Sequence, residues 1–286
     1  MMNHTLAEWV QLAGEGTLSA AAIRFQAQQN GCTEEQVRAK MHERLAVMKD
    51  AVRAGMDENL RSVSGLAGGQ AYLLLKYINE GKSLCGGILS KAEAYALATA
   101  ECNACMGKIV AAPTAGACGI LPGAILALAE EEHLSREKEV DALFTAAAVG
   151  EAIAFKASIS GAEGGCQAEC GTGAAMAAAA LTELRGGTPQ QCADAAGFAL
   201  MNLLGLVCDP VGGLVEVPCV YRNVGASGIA FTAADMVLAG IKCPIAPDDV
   251  ILAMKEVGDA LPPSLRETGL GGCAACASIK SRCKNG

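Results

Sequence analysis

The chain has 286 residues, a formal net charge of −8, 52% apolar residues and only 3% aromatic ones. An acidic balance without a basic run excludes a nucleic-acid groove or an anionic membrane surface as the main partner. The longest apolar stretches, 140–157 and 193–207, carry Asp141, Glu151, Lys156 and Asp194 and fall short of the roughly 20 residues that a membrane span needs, so they read as buried helices.

Residues 5–30 place apolar side chains at helical spacing, with a break at Gly14-Glu15-Gly16. Thr33-Glu34-Glu35-Gln36 is a capping box. Val37, Met41, Leu45, Met48 and Val52 follow it as one stripe, which predicts a helix ending near Gly55 with a core or subunit-facing side. A short helix is expected over 70–79. A loop with Cys85 comes next, and Ser90 is expected to cap a helix running to about Gly107. In the segment Ala112-Pro113-Thr114-Ala115-Gly116-Ala117-Cys118-Gly119, Pro113 disfavours helix in its predecessor and the glycines permit unusual backbone angles. This segment feeds a helix start, a place where backbone N–H groups can meet a carboxylate; an ordinary interhelical turn is the alternative. Ser135 caps the next predicted helix, to about Lys156. A loop over 158–173 precedes a helix from Ala174 to Leu184. Thr188-Pro189-Gln190-Gln191 starts another, to about Leu206. Thr232 is expected to cap a short helix closed by Gly240, and Pro247 opens one that stops at Gly258. The one strand-like run, 214–221, is interrupted by Pro218. The fold class is therefore mainly α, a single domain over 1–286 with a helical N-terminal part (1–60) and a polar tail (266–286).

Fourteen cysteines demand a reason. The first ten residues contain His4 and Glu8 and no signal-peptide core, so the expectation is a cytoplasmic chain with reduced thiols rather than a disulfide framework. Many of these thiols serve as small buried hydrophobes. Cys102-x-x-Cys105 and Cys273-x-x-Cys276 could form paired zinc knuckles, although the first pair lies inside a predicted helix. Cys166, Cys208 and Cys219, 42 and 11 residues apart, sit instead in or beside Gly/Pro-broken turns. Thiolates offered from separate loops suit a metal or iron–sulfur cluster. His4, His42 and His133 fall on polar or terminal stretches and read as solvated. No nucleotide-binding glycine loop is present.

Three segments carry a resemblance. They are Met106–Gly116 (M-G-K-I-V-A-A-P-T-A-G), Ser158–Glu169 (S-I-S-G-A-E-G-G-C-Q-A-E) and Leu204–Asn223 (L-G-L-V-C-D-P-V-G-G-L-V-E-V-P-C-V-Y-R-N). In this order they resemble the alpha chain of the iron–sulfur-dependent L-serine dehydratases. The resemblance implies an all-helical catalytic domain and a 4Fe–4S cluster on three cysteines, which match Cys166, Cys208 and Cys219. It implies deamination of L-serine to pyruvate and ammonia, with Lys108, Pro113, Thr114, Ala115 and Gly116 as candidate substrate contacts. The serine/histidine-rich segment of the beta portion is missing from this sequence, so a separate beta chain, and hence a hetero-oligomer, is expected. A tail thiol, Cys283, could imitate the cysteine that some single-chain relatives fold onto the open iron. The rival readings are a cluster-dependent L-cysteine desulfidase and a non-catalytic cysteine-rich metal or redox protein. The residues name no catalytic base.

Overall fold

Alanine and glycine let helices approach until backbone meets backbone, and this chain packs that way. The computed structural model describes residues 4–279. Its helices are α1 (Leu6–Ala13), α2 (Leu18–Asn30), α3 (Glu34–Gly55), α4 (Gln70–Asn79), α5 (Gly87–Ala104), α6 (Ile120–Glu131) and α7 (Arg136–Lys156). They continue with α8 (Gly161–Gly164), α9 (Thr172–Leu184), α10 (Pro189–Leu203), α11 (Cys219–Leu238) and α12 (Pro247–Ala260). No strand occurs among the described residues; the single β-type contact is an isolated parallel bridge between Cys208 and Arg266. No described helix is long and apolar enough to cross a membrane.

The centre of the molecule is α9. Every residue from Thr172 to Thr182 is buried, and α6, α7, α10 and α11 pack around it. An all-round apolar helix of this kind has no solvent face to present. Against α5 the approach is closer still. A Cβ on Gly55 of α3 or on Gly119 before α6 would fall onto the carbonyls of Ala98 and Ala96, and one on Gly123 would stand 2.8 Å from the carbonyl of Ala92. The Val37–Val52 stripe faces inward as expected, with only Met41 left partly exposed.

The capping boxes at Thr33 and Thr188 form, and Ser135 caps α7 through the Lys138 N–H. Other boundaries differ from expectation. Ser90 lies inside α5, which starts three residues earlier at Gly87; its hydroxyl bonds Ser83 Oγ at 2.6 Å instead of capping. Thr232 likewise caps nothing. It sits within the 20-residue α11, with its hydroxyl on the Gly228 carbonyl at 3.1 Å. The expected loop 158–173 is mostly helical: α8 is followed by a π-helical turn, Gln167–Gly171, that runs directly into α9. Single π turns inside helices are rare and concentrate at functional sites.

Candidate functional site: three buried thiols and a carboxylate

Three chain segments converge where α9 and α11 begin. Cys166 immediately precedes the π turn, and Cys219 is the first residue of α11, so both thiols stand at helix starts rather than in loops. Helix starts favour the thiolate through the macrodipole. Cys208 lies on an extended segment. It is held there by its N–H to Leu265 O (2.9 Å) and by the Glu267 N–H on its own carbonyl (2.7 Å). All three are buried.

Hydrogen bonds fix these segments together. Asn223, 1% exposed, accepts from the Gly119 N–H (2.8 Å) and donates to the carbonyls of Gly116 (2.7 Å) and Cys219 (2.9 Å). It thereby joins the 112–119 segment to the start of α11. Gln167 accepts from the Gly205 N–H and donates to Met254 O, both at 2.9 Å. Arg222 donates to Val207 O (2.7 Å) and pairs with the buried Asp209 at 2.8 Å. Asp209 in turn accepts from the Cys273 N–H at 2.6 Å.

The thiols lie within one another's electrostatic reach. Burial, then the charges of Glu169 and Cys166, push Cys208 up; burial and the same two neighbours push Cys219 up to about 12. Cys166 is held low by a hydrogen bond from Cys170, whose sulfur is 3.4 Å away, and by the Arg222 guanidinium. Cys170 is the partner that keeps its proton. Burial and mutual repulsion thus work against ionising Cys208 and Cys219.

Glu169 completes the site. An ideal Cβ on Gly161 would stand 2.7 Å from Glu169 Oε2 and 2.8 Å from Cys208 Sγ, so glycine is what lets carboxylate, thiol and backbone share this corner. A Cβ on Gly116 would meet the same oxygen at 3.3 Å. Burial raises the Glu169 carboxyl, and the Thr114 hydroxyl beside it opposes the rise. Thr114 Oγ1 itself is buried and makes no hydrogen bond of good geometry.

Thr114 and Gly116 therefore reach the site through Glu169. Pro113 follows a cis peptide bond, and Ala115 is exposed with its carbonyl bonded by Asn103 Nδ2 at 3.2 Å. Lys108 is exposed, and its segment contacts the Cys102 thiol through the Lys108 carbonyl at 4.0 Å, not the three thiols. Among the described residues no three His, Cys, Asp or Glu side chains converge as the ligands of one metal ion would. A single-ion site from the two C-x-x-C pairs is thus not formed by those residues. A cluster asks for something else, one thiolate per iron, and the spread donor set of Cys166, Cys208 and Cys219 fits that.

A family model described as "Serine dehydratase alpha chain" matches residues 9–274. This chain belongs to that family. Its relatives include the probable L-serine dehydratase alpha chain of Bacillus subtilis, 51% identical over 85% of this chain and 81% of the relative. The L-serine dehydratase alpha chain of Peptoniphilus asaccharolyticus is 46% identical over 85% and 83%. The L-serine dehydratase of Streptomyces coelicolor is 36% identical over 93% of this chain but only 59% of its own, longer polypeptide.

For a serine dehydratase alpha chain the residues missed by sequence reasoning are instructive. Glu169, Arg222 and Asn223 lie three, three and four residues after Cys166 and Cys219. That is one helical turn beyond each thiol, a spacing that carries meaning only once the thiols are known to begin helices. Cys283, in the polar tail, lies outside the described residues. His4 differs from expectation: its ring packs edge-on against Phe25 at 4.7 Å rather than lying free in solvent.

Proposed function

We propose that this chain is the alpha chain of a two-chain L-serine dehydratase that removes water from L-serine, giving pyruvate and ammonia. The observation that carries the proposal is that Cys166, Cys208 and Cys219, from three separate segments, lie within electrostatic reach of one another and of the Glu169 carboxylate. Those three thiolates would hold a 4Fe–4S cluster, whose iron, when bound, supplies a Lewis acid for the departing 3-hydroxyl.

The protein's own groups do the rest. Glu169 takes the Cα proton: it is the carboxylate that faces both the Cys208 sulfur and the Thr114–Gly116 turn. The buried Thr114 hydroxyl, which lies beside Glu169, offers the substrate carboxylate a donor. Burial of all three thiols keeps bulk water from competing for the site. The Cys170 hydrogen bond, and then the Arg222 guanidinium, lower the Cys166 thiol towards the form that a metal takes. The alpha-chain names of the Bacillus and Peptoniphilus relatives, and the longer Streptomyces polypeptide, support a second chain that completes the enzyme. A reducing cytoplasm is the compartment in which such thiols persist.

Cys208→Ser, purified without oxygen and mixed with the partner chain, tests the reading. The expected result is loss of the brown chromophore, of acid-labile sulfide and of pyruvate formation from L-serine, with the helical circular dichroism retained. Full serine turnover in that variant refutes it. Faster pyruvate release from L-cysteine than from L-serine would instead move the assignment to a desulfidase.

A further inference from the structure

Four helices that carry none of Cys166, Cys208 and Cys219 enclose a cleft of about 660 Å³. Its floor is aromatic: Trp9 from α1, Phe25 from α2 and Phe144 from α7. Its walls carry Lys40 and Arg44, one turn apart on α3, and Glu151 on α7. The volume is that of an ordinary small-molecule site, and a mostly apolar lining with a few polar groups is the usual composition of one.

Two features mark the cleft as built for an occupant. Trp9 is 1% exposed, yet its indole N–H is buried without an acceptor. Buried donors almost always have a partner, so an orphan of this kind asks for one that the chain does not supply. The charges lack ionic partners as well, Arg44 donating only to the Lys40 carbonyl at 3.0 Å. Lys40, Arg44 and Glu151 form no ion pair with any described residue, although neighbours on the same two helices, Arg38 with Glu137 and Asp141, pair fully. Burial raises the Glu151 carboxyl, so a cationic group placed in the cleft would favour its charged form.

We propose that this cleft binds an α-amino acid with a large apolar side chain. Its carboxylate meets Lys40, Arg44 and the Trp9 N–H; its ammonium meets Glu151; its side chain lies on the Phe25 and Phe144 rings. The site is separate from the cysteines and does not depend on what they hold.

Trp9 is the only tryptophan in the chain, so its fluorescence reads the cleft directly. L-Phenylalanine, titrated into the intact protein, is expected to give a saturable change in that fluorescence. 3-Phenylpropionate, which lacks the amine, and phenethylamine, which lacks the carboxylate, are each expected to bind at least about tenfold more weakly, the worth of one charge-assisted hydrogen bond. L-Serine is expected to leave the signal unchanged. Arg44→Ala and Glu151→Gln alter side chains at the rim, so the fold stays intact, and each is expected to weaken L-phenylalanine by about the same factor. Absence of a saturable change with L-phenylalanine overturns the proposal, as does equal binding by either single-charge analogue or by both variants.

Discussion

At the scale of single residues the site is a contest between burial and charge. Glu169 stands among buried sulfurs with Thr114 as its nearest hydroxyl, so its proton is poorly solvated in either state. If it accepts the substrate proton, Glu169→Gln removes the base and keeps the shape. The expected result is a fall in pyruvate formation of about 10²–10⁴-fold, the usual worth of a positioned base, with the cluster absorption unchanged. Bleaching of the absorption in that variant would show a packing role instead. Asn223 has a different task. Its amide satisfies one N–H and two carbonyls that have been removed from water. Asn223→Ala strands them, and each stranded buried group costs about 1–3 kcal/mol. Urea unfolding is expected to register a loss of at least about 2 kcal/mol, and Asn223→Asp, which turns a carboxylate oxygen towards two carbonyls, is expected to lose at least as much.

At the scale of helices, glycine works in two opposite ways, and substitution tells them apart. Gly55 exists so that α3 can touch the α5 backbone; a methyl there collides with the Ala98 carbonyl, which cannot swing aside. Gly55→Ala is expected to destabilise by about 3 kcal/mol or more, by overpacking against backbone. Gly225, inside α11, has nothing within 4 Å of an added Cβ. Gly225→Ala should stabilise by about 0.5–1 kcal/mol, the helix-interior difference between the two residues. Paired thermal melts of the two variants check both signs. The same scale explains what the sequence made legible. The boxes at Thr33 and Thr188 were readable because a cap is a local motif, with both partners within three residues. The helical class was readable from period and composition. The beginning of α11 at Cys219 was not: Pro218 and β-branched neighbours imitate a broken strand, and the long-range hydrogen bonds of Asn223 with Gly116 and Gly119 decide otherwise. Nor was the role of Glu169 readable, because the glycines that bring it to Cys208 and Thr114 lie 8 and 53 residues before it in the chain.

At the scale of the whole molecule the question is whether the first 60 residues are a separate unit. Their sequence periodicity permits it, but their contacts argue for one body. The two leading N–H groups of α1, on Leu6 and Ala7, are capped by Asp248 of α12, each at 3.0 Å, across more than 240 residues of chain. The Ser19 N–H bonds Glu183 on α9 at 3.2 Å, and Arg38 grips Glu137 and Asp141 on α7. Gly55 seats the end of α3 on α5. An N-terminal part tied to α5, α7, α9 and α12 cannot leave without exposing the apolar faces it covers. If the chain unfolds as one cooperative unit, two probes at different places report one transition. Trp9 fluorescence reads α1, and far-UV circular dichroism reads all the helices. In cluster-free protein the two urea curves are expected to coincide in midpoint and slope. A fluorescence midpoint at clearly lower urea would mean that α1 to α3 detach first and that the chain holds two folding units. The coupling also has a direction that can be tested: Asp248→Ala, which uncaps α1 from the far end of the chain, should lower both midpoints together, by about 1 kcal/mol of stability.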